Sequence, residues 1–391
     1  MDTEVATLNI EDYEECLTLM DSVFTVQNGW KMQMRKELPK VFATPERYAK
    51  AFHWGIRDNG RLCAVVGFYP MDLIVNGLKI RCCTVGNVVT RADQRAKGYM
   101  RQCFTRAMQE LPRQDIVLAR LGGLRQRYNS CGYERAGTAC RYSLTKYNVL
   151  KCVDAAAFLK YSFRELNEFD DETLNDMLKL HNSRRCYVER YNAEGLWHVL
   201  HHHFMQPCAI VDEQGRLQGY LTASEKGGVV SELVTRDEAE RLNALAAWIT
   251  YRRLDEADVL IMPWELISHY MLGRVCEHFS EDSPSMFCVL QWDLLIDALI
   301  KFKHSYSALP DGEIVLCIEG CGNLIIGVKG DNAGCQKSDR ASDISMSRME
   351  AARFLFGPLA ASAVRPIPHR LQALCNAYFP LPLTWFPQDS V

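Results

Sequence analysis

The pattern of apolar and polar residues is clearest between residues 88 and 112. Six apolar residues in the second part of this segment recur three or four positions apart, as they do on one face of a helix. They are Met100, Cys103, Phe104, Ala107, Met108 and Leu111. Pro112 ends this helix, because proline has no amide hydrogen to donate. The pattern therefore predicts a strand that ends at Thr90, a basic loop, and a helix that starts at Gly98.

Further helices and strands are predicted on both sides of this segment. The spacing after Asn9, a typical N-cap residue, predicts a first amphipathic helix, and residues 30–48 are predicted to form a loop with a short helix. Asn76-Gly77 is a strong hairpin signal. Strands are predicted over residues 62–69, 71–75, 78–83 and 116–121 and from Tyr133 onward, and one helical turn over residues 125–129.

The same order of elements returns after residue 153, which predicts a second domain related to the first. Its predicted helices cover residues 171–183, end at Arg253 and lie near Leu266, and its strands cover residues 208–211, 217–224, 229–235 and 259–262. The second domain lacks the basic loop, because Asp237, Glu238 and Glu240 stand at the corresponding place. These carboxylates would repel an anion. The domain is therefore predicted to be structural or to form a wall of the substrate site.

The last hundred residues have a different pattern. Helices are predicted over residues 292–302 and 347–355, and a strand hairpin over residues 313–318 and 323–328. Residues 330–342 are polar and are predicted to form a mobile loop.

Composition narrows the class of protein. The 391 residues suffice for two or three domains, and a net charge of −3 argues against nonspecific nucleic-acid binding. The sequence shows no apolar stretch long enough to cross a bilayer and no signal-peptide pattern at its start, which predicts a cytoplasmic protein without a membrane partner. The 16 cysteines include no Cys-x-x-Cys pair, so we expect reduced and mostly buried thiols.

The basic loop carries the clearest candidate chemistry. Arg95, Lys97 and Gly98 precede the predicted helix, whose first amides have no partner within the helix and attract an anion such as a pyrophosphate. The loop has neither the Gly-Lys-Ser/Thr ending of a P-loop nor the three glycines of a dinucleotide fingerprint.

Four histidines form the one cluster that resembles a metal site: His198, His201, His202 and His203. Offsets of three and four can place two imidazoles on one helical face, as zinc requires. No carboxylate or cysteine follows at a suitable spacing, so a partly exposed helix end is favoured and no metal is predicted.

Two motifs resemble the GNAT family of N-acetyltransferases. Residues 95–100 match the acetyl-coenzyme A loop pattern Gln/Arg-x-x-Gly-x-Gly/Ala, except that Met100 replaces the small last residue. Tyr128, Gly132 and Tyr133 match the pattern Tyr-x-x-x-Gly-Phe/Tyr. The third part of the chain resembles a sterol-carrier-protein-like domain. Together the three parts resemble Eis-type (enhanced intracellular survival) N-acetyltransferases.

This resemblance implies an α/β (α+β) fold with two tandem GNAT-like mixed sheets and a sterol-carrier-protein-like domain. The implied boundaries are residues 1–150 for the catalytic domain, 151–288 for the second GNAT-like domain and 289–391 for the last domain. In the implied topology, the strands before and after the first helix part at one end, and the pantetheine arm of acetyl-CoA fills the gap. The implied acetyl-CoA-binding residues are Val88, Val89, Thr90, Arg95, Ala96, Lys97, Gly98, Tyr99, Met100, Arg101, Gly123 and Leu124.

The resemblance also implies the mechanism and the partners. Tyr128 would be the general acid, and the C-terminal carboxylate, here that of Val391, the general base. Family members commonly end in an aromatic residue, so Asp389 or a water could replace this base. The acceptor would be a primary amine of aminoglycoside, polyamine or lysine type, and the assembly a homohexamer. Phe24, Trp30 and Asn87 are the candidate acceptor-binding residues, and Asn87 replaces a frequent aromatic, so the accepted amine could differ.

Two other classes of function remain open from the sequence. The last domain could make the chain a lipid-binding or interaction protein with an inactive acetyltransferase domain. A purely structural scaffold is disfavoured, because it has no use for a basic loop together with Tyr128.

Overall fold

The computed structural model describes residues 4–391 as three sheets and the helices packed on them. In chain order the strands are β1 (Val5–Leu8), β2 (Phe52–Asp58), β3 (Arg61–Val75), β4 (Leu78–Thr90), β5 (Leu118–Leu121), β6 (Glu134–Ala136), β7 (Ala139–Thr145), β8 (Ser162–Glu165), β9 (Cys186–Val188), β10 (Gln206–Val211), β11 (Leu217–Ala223), β12 (Val229–Thr235), β13 (Glu256–Ile261), β14 (His278–Asp282), β15 (Ser285–Val289), β16 (Gly312–Ile318), β17 (Gly322–Lys329), β18 (Asn332–Ser338) and β19 (Ile344–Met346).

The helices are α1 (Tyr13–Asn28), α2 (Met34–Glu37), α3 (Pro39–Phe42), α4 (Pro45–Tyr48), α5 (Tyr99–Glu110), α6 (Arg125–Tyr128), α7 (Lys146–Cys152), α8 (Ala155–Leu159), α9 (Asp171–Asn182), α10 (Ala193–Leu200), α11 (Arg241–Tyr251), α12 (Leu266–Gly273), α13 (Trp292–His304), α14 (Arg348–Phe356), α15 (Ala361–Val364) and α16 (His369–Tyr378). Within residues 4–391, none of them is both long and apolar enough to traverse a bilayer.

The first two sheets have the same design. The first has the order β1-β2-β3-β4-β5-β15-β6, with β9 added to the end of β3, and the second has the order β8-β10-β11-β12-β13-β7-β14. In each sheet one parallel pair, β4 with β5 or β12 with β13, is connected by a helix, α5 or α11. The repeated order of elements in the sequence thus corresponds to a repeated sheet topology.

The two sheets exchange one strand each. β7 follows β6 along the chain but lies in the second sheet, against β13 and β14. β15 follows β14 but returns to the first sheet, between β5 and β6. The sheets therefore do not follow the predicted boundaries at residues 150 and 288, because hydrogen bonding between strands is decided by contacts distant in sequence.

Two long strands replace predicted shorter ones. β3 runs through Pro70, where two strands were predicted, because β2 pairs only as far as Phe68 and β9 pairs only from Leu73. Pro70 therefore lies in a stretch of β3 that has no strand neighbour on that side, so its lack of an amide hydrogen breaks no hydrogen bond there. β4 likewise joins the predicted strand over residues 78–83 to the one that ends at Thr90.

The third sheet has the order β18-β17-β16-β19 and packs with α13 and α14. The predicted mobile loop over residues 330–342 is wrong for most of its length. β18 pairs with β17 from Lys329↔Asn332 to Asn323↔Ser338, since even a polar sequence can form an edge strand when a long hairpin partner is present. The core of this sheet is continuous with one face of the first sheet.

Candidate active site

The centre of the site is the point where β4 and β5 separate. They pair in parallel from Cys82↔Leu118 to Val85↔Leu121, and β5 ends there while β4 continues to Thr90. Residues 86–90 keep only β3 as a sheet neighbour within the described chain. Their other edge therefore has free backbone groups that can bind an extended ligand as an added strand. The predicted parting of the two strands is present.

A bulge lies directly after this point. The register of β3 with β4 moves from Gly67↔Gly86 to Val65↔Val89, so β4 has two residues where β3 has one. Asn87, one of these two, has φ +52°, a conformation that asparagine tolerates better than most residues. Its side chain is buried, and Nδ2 donates a 2.7 Å hydrogen bond to the Tyr69 hydroxyl. The bulge thus holds the candidate acceptor residue Asn87 beside the gap.

The predicted anion loop joins β4 to α5. Gly98 is the N-cap residue, with φ +78°, and no side chain caps the helix. The helix starts at Tyr99, so the amides of Tyr99, Met100 and Arg101 have no partner within it. Gly98 itself requires its glycine because of its left-handed backbone. The loop therefore presents uncapped helix amides, as the sequence predicted.

The basic side chains of this loop are not equivalent. Lys97 Nζ lies 2.6 Å from Gln94 Oε1 and 3.3 Å from Asp58 Oδ2. Arg95 and Arg101 are exposed and form no ion pair with any acid of the described chain. We therefore expect the two arginines, more than Lys97, to supply charge to a bound phosphate.

Tyr128 is the last residue of α6 and lies on the α5 side of the first sheet. Its ring is buried, with its centroid 5.6 Å from that of Phe104. A Cβ atom at Gly123 would lie 3.2 Å from its Cε2 atom, and Gly123 has φ +128°, so this position favours glycine. Leu124, the other predicted residue of this loop, is exposed. Burial raises the pKa of Tyr128, and Arg127 partly offsets the rise, so the phenol is protonated at neutral pH.

The main-chain carbonyl of Val391 lies against β4. A Cβ atom at Gly86 would lie 2.6 Å from the main-chain oxygen of Val391, so any larger residue at this position would displace the tail. Val391 packs with the apolar cluster beneath α1, which includes Val65, Tyr69 and part-buried Phe24. The tail therefore reaches the first sheet at the residue that follows the last β4–β5 pair.

Tyr128 and Val391 approach this point from opposite faces of the sheet. Tyr128 shares a core cluster with Val85 and Leu121, the last residues paired between β4 and β5. Val391 belongs to the cluster on the other face. The Tyr128 ring and the Val391 main chain thus lie on either side of a free strand edge.

The predicted acceptor residues are only partly brought together. Phe24 and Asn87 lie around the tail, as described above. Trp30 is half exposed, and its ring centroid lies 5.8 Å from that of Phe204, beyond the first sheet. Phe204 lines a cleft of about 620 Å³ together with Arg35, Pro39, Trp197 and His198. Trp30 therefore lies beside Phe204 at this cleft, which is lined both by the first half of the molecule (the first sheet with its helices) and by the second half (the second sheet with its helices).

Three of the four clustered histidines have separate partners. His198 Nε2 lies 3.7 Å from Glu194, and His203 Nδ1 lies 3.4 Å from Glu37. His201 Nδ1 contacts the Trp197 carbonyl, and His202 is fully buried. Across residues 4–391, no group of three or more His, Cys, Asp or Glu side chains is placed to hold a metal ion.

Sequence reasoning missed several residues of this region. Gly86 could have been noticed as a glycine inside an apolar strand, which often marks a close approach of another chain segment. Tyr69, which holds Asn87, gives no local signal. Neither does Arg190, whose contact with Asp389 crosses 199 positions of sequence.

Comparison with known proteins gives one family match and several structures of similar fold. Residues 4–136 match the family model described as Acetyltransferase (GNAT) domain. No curated protein matches the chain. The chain is similar to a solved structure from Enterococcus faecalis V583, described as a probable N-acyltransferase, with a TM-score of 0.71, 14% identity and 98% of each chain covered.

Two further solved structures are similar over the whole chain. A GCN5-related N-acetyltransferase from Kribbella flavida has a TM-score of 0.66 and 15% identity, with 100% of this chain and 98% of that chain covered. Eis1 from Mycobacterium abscessus has a TM-score of 0.68 and 12% identity, with 100% of both chains covered. At these identities the likeness concerns the fold. The family match over residues 4–136 makes the chain an acyltransferase enzyme with a GNAT acetyltransferase domain.

Proposed function

We propose that the chain transfers an acetyl group from acetyl-CoA to a primary amine by direct attack on the thioester. The observation that carries this proposal is the position of the Val391 carboxyl group against Gly86, across the sheet from the Tyr128 cluster. The Val391 carboxylate and the Tyr128 phenol give the fold a chemical role, because the two groups flank the gap where the thioester would lie.

The donor-binding part of the proposal rests on three surfaces. The uncapped amides at the start of α5, with those of Ala96 and Lys97, would hold the pyrophosphate, and the side chains of Arg95 and Arg101 would add positive charge. The free edge of Val88, Val89 and Thr90 would pair with the pantetheine arm. Such pairing fixes the acetyl group at the end of β5, next to Tyr128.

The proton balance assigns one role to each flanking group. The nitrogen of a neutral amine forms a bond to the acetyl carbonyl carbon, and the bond from that carbon to sulfur breaks. The Val391 carboxylate accepts the proton that the amine nitrogen loses. The Tyr128 phenol donates a proton to the departing thiolate and is reprotonated from water. The thiolate, whose thiol has a pKa near 8.5, leaves more easily when a protonated phenol can donate a proton to it.

The acceptor is proposed to be of aminoglycoside, polyamine or lysine type. Phe24 offers an apolar surface beside the tail, and Asn87, rather than an aromatic residue, borders the gap. A smaller, polar residue here favours an amine with neighbouring hydroxyl or amide groups, which can hydrogen-bond to the Asn87 amide.

The remaining proposals concern the whole chain. The third sheet with α13 and α14 would be the sterol-carrier-protein-like domain, and the assembly a homohexamer, both supported only by resemblance. A cytoplasmic location is supported by the cysteines, since all sixteen are free thiols and most are buried.

A direct assay tests the proposed function. Release of coenzyme A thiol from acetyl-CoA is followed with a panel of amines that contains aminoglycosides, polyamines and lysine peptides, and the acetylated product is identified by mass spectrometry. Intact mass of the same preparation establishes that the chain ends at Val391. Amine-dependent thiol release supports the proposal, whereas lipid extraction without any acetyl transfer favours the lipid-binding alternative.

A further inference from the structure

The tail that ends at Val391 is held mainly by the second half of the molecule. Gln388 and Asp389 are each 1% exposed. Gln388 Nε2 donates to the Val199 carbonyl at 3.0 Å, and Ser231 Oγ donates to Gln388 Oε1 at 2.9 Å. Ser231 follows directly on Val230, the last residue of β12 paired with β13. The tail therefore crosses the second sheet where its parallel strands part, before it reaches the first.

A buried ion cluster fixes the residue two positions before the end. Arg190 Nη2 lies 3.1 Å from Asp389 Oδ2, and the same guanidinium makes two 2.7 Å hydrogen bonds to Glu232. Tyr220 donates a further 2.6 Å hydrogen bond to Glu232. From the first half, Lys40 Nζ donates to the Asp389 carbonyl at 3.0 Å. The cluster thus links both halves to the tail.

Stability alone does not explain this cluster. Asp389 Oδ1 and Arg190 Nε are buried without a hydrogen-bond partner. Buried ion pairs with unmet hydrogen bonds are often no more stabilising than apolar residues of similar size. A cluster of this kind is better explained by the geometry that it enforces. Because one residue spans about 3.5 Å, Asp389 lies close enough to dictate where the Val391 carboxyl group stands.

We propose that Arg190 is a positioning residue for the acyl transfer, which acts through Asp389 to hold the Val391 carboxylate at Gly86. This inference rests on the proposed function. Through Arg190 the second half would take part in the reaction, although that half has no basic loop. Glu232 and Lys40 support the same placement, Glu232 by orienting the guanidinium and Lys40 by anchoring the main chain of the tail.

The test uses the full-length chain, three substitution variants and one truncated chain. Asp389→Ala removes the tail carboxylate but leaves the Arg190–Glu232 pair intact, and Asp389→Asn preserves its shape in case the alanine variant does not fold. Arg241→Met is the matched control, because Arg241 forms a buried 2.7 Å ion pair with Glu265 in the same half, without contact to the tail. A chain truncated after Ser390 ends in the Ser390 carboxylate, about 3.5 Å short of the position at Gly86.

The expected result is a loss of kcat of about tenfold to a hundredfold in both Asp389 variants, since small misplacements of a reacting group have effects of this size. Acetyl-CoA affinity should change less than twofold. Added formate, as an external carboxylate, should raise the rate of the Asp389 variants and of the truncated chain, but not that of the wild type. Arg241→Met should lower the thermal midpoint and keep its kcat.

Four outcomes are decisive. Slow, formate-rescued Asp389 variants beside an equally slow truncated chain support the positioning role, whereas slow Asp389 variants beside a fully active truncated chain would make Asp389 the base and overturn it. Folded Asp389 variants with wild-type kcat, beside an inactive truncated chain, overturn the role of Arg190 and Asp389 while the proposed function stands. A wild-type chain that acetylates none of the amines overturns the proposed function and, with it, this inference.

Discussion

The two related sheets differ most where the helix after the parallel strand begins. In the first half, Gly98 caps α5 without any side-chain hydrogen bond, and the loop is basic. In the second half, acidic residues fill the corresponding place before α11. Asp237 Oδ1 accepts a hydrogen bond from the Ala239 amide at the start of the short turn 238–240 that leads into α11, and Glu238 Oε1 accepts one from the Ser268 amide of α12.

This difference shows that anion binding is not a property of the fold alone. A helix N-terminus binds an anion only when its amides are left free, and a side-chain cap stabilises a helix by about 1 kcal/mol. In the second half Asp237 supplies such a cap to the turn that leads into α11, although α11 itself has no side-chain cap. The start of α5 has neither a cap nor an acidic residue in its first turn, which is the condition for a phosphate site.

The largest expected effect concerns the tail, which is held by the second half and reaches the first half at Gly86. Extending the chain by three residues after Val391 should lower kcat by about a thousandfold, because the terminal carboxylate at Gly86 is lost and general bases contribute about 10²–10⁴. Thiol release at saturating amine measures it. The same three residues added at the N-terminus serve as the control, and a fully active C-terminal extension would remove Val391 from the mechanism.

The next effect concerns Tyr128, the acid on the opposite face. Tyr128→Phe should lower kcat by about a hundredfold, since its hydroxyl would no longer protonate the thiolate, with little change in acetyl-CoA affinity. Tyr133→Phe is the matched control, because Tyr133 lies in the same cluster and its hydroxyl contacts only Met108 Sδ at 3.4 Å. Equal rates in the two variants would assign Tyr128 to packing.

A smaller effect follows from making the first helix start resemble the second. Arg101→Glu places a carboxylate in the first turn of α5, where it interacts favourably with the free amides and repels a pyrophosphate. We expect stability to rise by about 0.5 kcal/mol and acetyl-CoA affinity to fall about tenfold. Urea unfolding and calorimetric titration measure the two quantities. Arg106→Gln, on the same helix beyond the first turn, is the control, and unchanged affinity in Arg101→Glu would argue against phosphate binding at this place.

The effect with the smallest consequence for activity is a pH dependence of stability. Burial lowers the pKa of His53 to about 3, whereas an unfolded histidine has a pKa near 6.5. Between these values the unfolded chain binds more protons, so stability falls as the pH drops from about 6.5 toward 3, by up to about 1.4 kcal/mol per unit for one histidine. His53→Phe should flatten this slope in urea unfolding at pH 5 to 7. An unchanged slope would contradict the assignment of His53 as a buried neutral base.

The sequence predicted what local spacing decides. The apolar face of α5, the Asn76-Gly77 hairpin and the turn of α6 all follow from residues within a few positions of one another. Strand exchange between the halves does not, because β7, whose buried and part-buried residues alternate, and β15, which is buried throughout, would each fit either sheet. The contact of Lys40 with Asp389 spans 349 positions, and no local pattern announces it. The candidate acid and the anion loop were therefore accessible from sequence, but the residues that place the tail were not.

The exchange of β7 and β15 also has a consequence for synthesis on the ribosome. The first sheet is complete only when β15 has paired with β5 and β6, so about 289 residues must be translated first. Until then the nascent N-terminal half exposes the unpaired edges of β5 and β6 to chaperones and to other chains. A gene fragment that encodes this half alone would yield a product with unpaired strand edges that tends to aggregate, rather than a minimal enzyme.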